Sequence, residues 1–289
     1  MPDRAGPGGR ALGSPHGGSA VVRVAGRRWV PKPVLILVGV LAVAIAGWWF
    51  LVRSDAPPAP DLAAAAETAA AAQTSTTIAA PATTTAAPAT TTAVPATTVD
   101  LADDPSGTWT VETDIGSFQD FTSTWVGYRI DEELGRGIGA TTAVGRTPLV
   151  TGTVEVSNGV ATSAAVTADL RGLKSDRVYR DGKVFEALHV DRHPEAVFVM
   201  ADPFPLTAGA NEMSATVPGT LTVNGVSVAV EAALEATLVG DVLTVVGTLP
   251  VVLAAHDVVA PSASIVVSVA DSGVVEFQLF LTRVAGGTG

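Results

Sequence analysis

Apolar and polar residues alternate along much of the C-terminal two thirds of the chain, which predicts β-strands. The clearest case runs from Val226 to Leu238. Side chains two residues apart share one face of a strand. The apolar face of this segment comprises Val226, Val228, Val230, Ala232, Leu234, Ala236 and Leu238. Glu231 and Glu235, on the opposite face, also fit helical spacing. The β-branched residues nevertheless favour a strand.

Turn signals separate these alternating segments. Asn158-Gly159 and Asn224-Gly225 each lie between two short apolar runs. Asn-Gly is a strong signal for a two-residue hairpin, because both central residues need positive φ. Asp271-Ser272-Gly273 predicts a further turn, between strands at 265–269 and 274–282. The pattern therefore predicts a sandwich or an up-and-down barrel, and periodicity alone does not choose between them.

The segment Leu170–Phe198 differs from the strands around it, because charged residues of both signs are concentrated in it. Seven of them fall within thirteen residues: Arg171, Lys174, Asp176, Arg177, Arg180, Asp181 and Lys183. No strand is expected to run through such a segment. We therefore expect a structured crossing here, in an otherwise all-β domain.

An uninterrupted apolar run extends from Val34 to Val52. As a helix it would span about 29 Å, close to the hydrocarbon thickness of a bilayer. Six basic residues and one acid precede the run, which predicts a cytoplasmic N-terminus. A cleaved signal peptide would have small residues where Trp48-Trp49-Phe50 stand, and a buried core helix of this length rarely lacks every charge. We expect a cytoplasmic segment at 1–33, a transmembrane helix at 34–53 and an extracytoplasmic remainder.

Residues 54–104 are dominated by Ala, Thr and Pro. Asp61 is a good N-cap for a short helix through Glu67. Beyond it the sequence lacks the apolar residues needed for a packed core, which predicts a disordered linker. A flexible coil of this length would have an end-to-end distance of about 40 Å. The folded domain is then expected at 105–289.

Composition excludes several classes of function. The chain has no cysteine, so disulfides, thiolate metal sites and cysteine nucleophiles are absent. The segment 105–289 has ten Lys or Arg against twenty-one Asp or Glu, a net charge of −11. An acidic domain of this kind does not attract nucleic acid.

Three short motifs have chemical interpretations that the surrounding sequence does not favour. A metal site is one interpretation of His189-x-Asp191-x-His193, although residues of this kind more often lie in a polar loop. No serine in a nucleophile-elbow sequence accompanies His256-Asp257, so a catalytic triad is not expected. The glycines of 135–139 suit backbone turns better than phosphate binding, because no strand-to-helix pattern surrounds them. No catalytic residues, metal or cofactor are predicted.

Several segments in order along the chain resemble the YceI-like family of exported bacterial proteins. They are Gly107–Val111, Phe121–Glu133, Ala143–Thr147 with Val150–Gly152, Arg180-Asp181, His193–Phe198 and Gly219–Gly225. The last is similar to the family's G-x-L-T-x-x-G hairpin. Many relatives carry His-Ser near the first strand, where this chain has Ile115-Gly116-Ser117.

The resemblance implies an extended, lipocalin-like, eight-stranded antiparallel barrel with a short helical crossing. It also implies that the barrel holds a long apolar chain, such as a polyisoprenoid or a quinone tail. A barrel of eight strands has room for one small ligand only if its interior is not filled by side chains. The Ala, Val and Gly content of this domain favours such a space. The alternative is a ligand-free adhesion or scaffold module on a stalk.

Candidate lumen residues lie on the apolar faces of the predicted strands. They are Val166, Ala168, Leu170, Phe198, Val228, Val230 and Leu234. Arg180 and Asp181 are expected either to contact a polar head group or to form an ion pair that attaches the crossing to the barrel.

Overall fold

The computed structural model describes residues 56–78, 105–206, 212–261 and 263–284, except for the side chains of 75–78 and 179. Two α-helices are present in this part, α1 (Leu62–Ile78) and α2 (Val178–Ala187). The strands are β1 (Gly107–Glu112), β2 (Trp125–Leu134), β3 (Gly139–Thr147), β4 (Val150–Ser157), β5 (Val160–Asp169), β6 (Lys174–Ser175), β7 (Glu195–Met200), β8 (Phe204–Pro205), β9 (Glu212–Val223), β10 (Val226–Val239), β11 (Val242–Val252), β12 (Val266–Val269) and β13 (Ser272–Arg283).

The sheet closes into a barrel because β13 pairs with β1 as well as with β11. The closed ring runs β1-β4-β5-β7-β9-β10-β11-β13, with antiparallel pairing throughout. β1 and β2 pair with successive parts of β13, so β2 extends β1 along the barrel. In the same way β3, which pairs with β2, extends β4, which pairs with β1. The expectation of an eight-stranded antiparallel barrel is confirmed.

The two ends of the barrel are built differently. At one end, which we call the helix end, lie α2, the β2–β3 and β9–β10 turns, β12 and a 3-10 turn at Leu253–His256. At the other, the hairpin end, lie the β4–β5 and β10–β11 turns together with β8. More elements therefore contribute side chains to the barrel interior at the helix end than at the hairpin end.

The hairpins predicted from Asn-Gly pairs are confirmed. Asn158 and Asn224 both have positive φ, and they connect β4 to β5 and β9 to β10. The predicted turn at 271–273 does not join a hairpin, because β12 pairs with β2 and not with β13. Over Val226–Leu238 the strand prediction is confirmed, with Ala232 buried and Ala233 exposed.

The charged segment Leu170–Phe198 forms the predicted crossing, and α2 is its main element. As expected, no strand runs through the segment, although two strands enter it at its ends. The short strand β6 pairs with β3, and β7 already begins at Glu195. The crossing is thus hydrogen-bonded into the sheet at both of its ends.

Residues 56–78 are ordered against the outside of the barrel, and the short helix expected through Glu67 continues to Ile78, so the disorder expected beyond Glu67 is not found up to Ile78. Asp61 caps α1 as expected, since its Oδ1 accepts a hydrogen bond from the backbone N–H of Ala64 at 2.9 Å. Ala65 and Ala69 are fully buried against Val242, Phe280 and other apolar residues of the outer wall. Small side chains let the helix approach the sheet closely. The rest of the predicted linker, 79–104, lies outside the described residues.

Residues 57 and 58 are attached to the same outer wall by a group of buried charges, which we call the outer-wall cluster (Arg129, Arg146 and Glu276). Arg129 donates to the carbonyl of Pro57 at 2.6 Å, and Arg146 donates to that of Pro58. Glu276 pairs with both arginines. This contact and α1 hold the N-terminal part of the described chain on the barrel.

Within the described ranges, no helix has the length and apolar character needed to cross a bilayer. The predicted span at 34–53 and the cytoplasmic segment at 1–33 lie outside those ranges.

Candidate functional site: the barrel cavity

The interior of the barrel contains a cavity of about 360 Å³. This volume falls in the range of small-molecule sites, which are mostly apolar and concave. Eight alanines contribute to its lining: Ala143, Ala161, Ala164, Ala168, Ala187, Ala196, Ala232 and Ala236. Because alanine side chains end at Cβ, they leave the middle of the barrel unfilled. The space predicted from the small-residue content is therefore present.

Five of the seven predicted lumen residues line this cavity. They are Val166, Ala168, Leu170, Phe198 and Leu234. Val228 and Val230 are on the same face of β10 as Leu234 but are not among the lining residues. Val230 packs instead in an apolar cluster with Leu221 and Leu249.

Phe198 reaches its position because the neighbouring strand provides a glycine. A Cβ on Gly219 would lie 2.4 Å from atoms of the Phe198 ring. The glycine of the G-x-L-T-x-x-G segment therefore makes room for an aromatic side chain in the cavity wall. Any larger residue at this position would force the ring to move.

The helix end of the cavity is bordered by an ion pair between Arg180 of α2 and Glu132 of β2. Arg180 also pairs with Asp176, one turn earlier. Asp181 does not take part, since its Oδ1 accepts from the backbone N–H of Ser175 at 2.8 Å. The ion pair that attaches the crossing to the barrel is thus Arg180–Glu132, not the expected Arg180–Asp181.

Burial and charge act in opposite directions on this pair. Burial raises the pKa of Glu132 above its usual value, although Arg180 favours the carboxylate. Burial also lowers the pKa of Arg180, but Asp176 and Glu132 outweigh it and hold that pKa above its usual value. The guanidinium therefore remains charged and shared between two acids.

Tyr128 lies beside this cluster, with its ring over Gly145 of the paired strand. Its hydroxyl is buried and has no hydrogen-bond partner among the described residues. Burial raises the pKa of Tyr128 well above its usual range. The phenol consequently stays neutral and keeps its proton.

His256 borders the cavity from the 3-10 turn at the helix end. Its ring is almost fully buried, and Nδ1 lies 3.1 Å from the carbonyl oxygen of Val226. Asn224 donates to the carbonyls of His256 and Asp257 at 3.1 and 3.2 Å. The side chain and the backbone of His256 are both held by the β9–β10 turn region.

The remaining motifs of chemical interest lie in turns. His189 pairs with the side-chain oxygen of Asn224 at 2.8 Å, and His193 packs against Gly225. The glycine-rich segment 135–139 forms the β2–β3 turn, with positive φ at Gly137 and Gly139. In the described part of the chain, no group of three His, Cys, Asp or Glu residues is placed to hold a metal ion.

The model of the YceI-like domain family matches residues 73–281. The chain belongs to the YceI-like family. The match begins within α1 and ends within β13, so it includes all of the barrel except the last two residues of β13.

Solved structures similar to this YceI-like chain come from several bacteria. BcnA of Burkholderia cenocepacia is 22% identical, with a TM-score of 0.43, and the match covers 54% of this chain and 95% of that one. A polyisoprenoid binding domain from Saccharophagus degradans is 13% identical, with a TM-score of 0.45 and coverage of 61% and 98%. A Campylobacter jejuni YceI protein is 12% identical, with a TM-score of 0.41 and coverage of 49% and 85%. The comparison with curated proteins gives no match.

Sequence reasoning did not identify Tyr128, Glu132 or His256 as residues of the cavity. A signal for the first two was present, because Val126, Tyr128, Ile130 and Glu132 alternate along β2 and all line the cavity. For His256 no local signal existed. Its position depends on a turn that folds back across the end of the barrel.

Proposed function

We propose that this YceI-like protein is a non-enzymatic carrier that holds an isoprenoid-type or similar long apolar lipid inside its barrel. The single observation that supports the proposal is the cavity of about 360 Å³ in a closed barrel with mainly apolar lining. Burial of an apolar chain stabilises a complex by about 25 cal/mol per Å². Part of this gain is offset by the ordering of a flexible ligand.

The proposal includes tethering to the cytoplasmic membrane through the apolar run at 34–53, with the barrel on the extracytoplasmic side. The basic residues before the run support this orientation. Protease added to intact spheroplasts should then digest the barrel domain or release it. Protection of the domain until the membrane is lysed would refute the orientation.

A ligand-free scaffold module is the competing function. It would be expected to fill its interior with large side chains, whereas eight alanines line this one. The cavity therefore favours the carrier.

The test is mass spectrometry of lipid extracted from the purified protein and two variants. Val166 lines the cavity, and Val166→Trp should fill part of it and reduce the co-purified lipid severalfold. Ala165→Trp adds the same side chain on the exposed face of β5 and serves as the matched control. It should leave the lipid content unchanged. A wild-type protein that carries no lipid, and binds none when isoprenoids or quinones are supplied, would refute the carrier.

A further inference from the structure

The polar groups that border the cavity are concentrated at the helix end. Glu132, Arg180 and His256 come from the helix-end part of β2, from α2 and from the 3-10 turn, and the hydroxyl of Tyr128, unpartnered in the described part of the chain, lies beside Arg180 and Glu132. The lining at the hairpin end comes from apolar residues such as Val156, Phe204 and Leu206. The two ends of the cavity thus differ in chemistry, and a lipid with one polar group has one favourable orientation.

The hydrogen bond of His256 determines what its ring offers to a ligand. A backbone carbonyl can only accept, so the contact between Nδ1 and the Val226 carbonyl oxygen places a proton on Nδ1. In the neutral ring, Nε2 is then an acceptor. Nε2 has no hydrogen-bond partner among the described residues, and the residue borders the cavity.

The ring of His256 is fixed in position before any ligand binds. The β9–β10 turn contributes both the Val226 carbonyl and the Asn224 side chain that fixes the backbone of residue 256. His189 in turn fixes Asn224, at 2.8 Å. A group oriented by such supporting contacts binds without a large ordering cost.

The charged pair at this end does not suit an anionic head group. Arg180 is already paired with two carboxylates, Asp176 and Glu132, and an anion would have to compete with both. A neutral head group avoids this competition.

We infer that the cavity selects a lipid with a neutral hydroxyl head group, an alcohol, phenol or quinol, oriented with the hydroxyl at the helix end and donating to Nε2 of His256. This inference rests on the proposed carrier function. It goes further by naming the head group and the residue that recognises it. A quinone or an ether has no proton to donate, so the same chain with either head group would lose this hydrogen bond.

The test compares farnesol with farnesyl methyl ether, which has the same chain but no hydroxyl proton. Binding of each to the purified full-length protein is measured by calorimetry. We expect farnesol to bind about three- to tenfold more tightly, as one neutral hydrogen bond contributes. If neither compound binds, the carrier function itself fails. If both bind equally, the carrier stands and the head-group inference is refuted.

A pair of variants assigns the preference to His256. In His256→Asn the amide nitrogen takes the place of Nδ1 and still donates to the Val226 carbonyl, while the acceptor at Nε2 is removed. The preference for farnesol should fall to about one, whereas His193→Asn, at a histidine outside the lining, should keep it. Retention of the preference in His256→Asn would overturn the assignment.

A measurement on the wild-type protein covers the case in which His256→Asn does not fold. In protein labelled with ¹⁵N-histidine, saturation with farnesol should shift the Nε2 resonance of His256, and saturation with the methyl ether should not. An unchanged Nε2 resonance with bound farnesol would refute the contact.

Discussion

In the described part of the chain, two groups of buried Arg and Glu side chains lie on opposite sides of the same barrel wall. The centre of the outer-wall cluster is sealed, since the side chains of Arg146 and Glu276 are 2% and 1% exposed, and only Arg129 at its edge reaches 24%. The guanidinium of Arg146 lies 3.7 Å from the Trp125 ring centre and 4.7 Å from that of Phe121. The helix-end pair is more open, with Arg180 and Glu132 at 10% and 5%.

The two groups also differ in role. In the outer-wall cluster, the hydrogen-bonding groups are directed to one another and to the carbonyls of residues 57 and 58. This arrangement fixes the N-terminal segment on the barrel. The helix-end pair attaches α2 to the barrel. Because it also borders the cavity, it makes one end of the cavity polar.

Removal of the central acid of the outer-wall cluster should have the largest effect. Glu276→Ala leaves Arg146 charged and buried without its partner, at a cost of about 3–5 kcal/mol in the free energy of unfolding. Denaturant unfolding measures it. Glu231→Ala, on the exposed face of β10, is the control and should change stability by less than about 0.5 kcal/mol. Equal effects of the two substitutions would mean that the cluster is not sealed.

Removal of the cation at the helix end should cost less. Arg180→Ala leaves Glu132 without its partner and Asp176 with only Arg177 and the Val144 N–H, but water entering from the cavity can solvate both acids. We expect a loss of about 1.5–3 kcal/mol, as for hydrogen bonds to charged groups. The control is Lys183→Ala, which removes an exposed ion pair with Glu186 on the same helix. A loss larger than that of Glu276→Ala would reverse the comparison.

The packing of α1 on the outer wall can be tested with one substitution on each of its faces. Ala69→Leu adds volume where the residue is fully buried, and overpacking of this kind costs about 1–3 kcal/mol. The same change at the exposed neighbour, Ala70→Leu, should be nearly neutral. Unfolding curves compare them, and limited proteolysis should show earlier cleavage near α1 in Ala69→Leu. Identical behaviour of the two variants would contradict the docking of α1.

The smallest expected effect is a pH dependence from Glu132. Burial raises its folded-state pKa above the unfolded value, so the folded state binds the proton more tightly. The resulting stability is fully present below the unfolded pKa of about 4.3 and is lost as the pH rises through the folded-state pKa.

The wild-type protein should therefore lose stability relative to Glu132→Gln as the pH is raised from about 4 to 7. Unfolding free energies of the two proteins across this range measure the difference. The exposed residue Glu133 provides the control, Glu133→Gln. A constant difference between wild type and Glu132→Gln would show that the carboxyl group titrates alike in the folded and unfolded states.

Much of the fold could be predicted from local patterns. Alternation identified β10, and Asn-Gly pairs identified two hairpins, because strand faces and tight turns depend on neighbouring residues. The order of the family-like segments was sufficient to indicate the barrel. The ordered docking of 56–78 was missed because an alanine-rich helix has no strongly apolar face to signal a partner.

The candidate site was predictable in its apolar wall and not in its polar end. Val166, Ala168 and Leu234 follow from alternation along their own strands. The partner of Arg180 does not, because Glu132 is far away in sequence and meets it only where α2 crosses the barrel.

The sequence by itself determined the strands, the faces they bury, the acidic charge of the domain and its family. Each of these depends on residue type and short-range spacing. Only the tertiary structure decided which residues form the cavity wall, that Arg180 pairs with Glu132 and that His256 borders the cavity. These features depend on the closure of the sheet and on the path of α2 and the 3-10 turn over its end. Such long-range contacts place residues together that no local pattern connects.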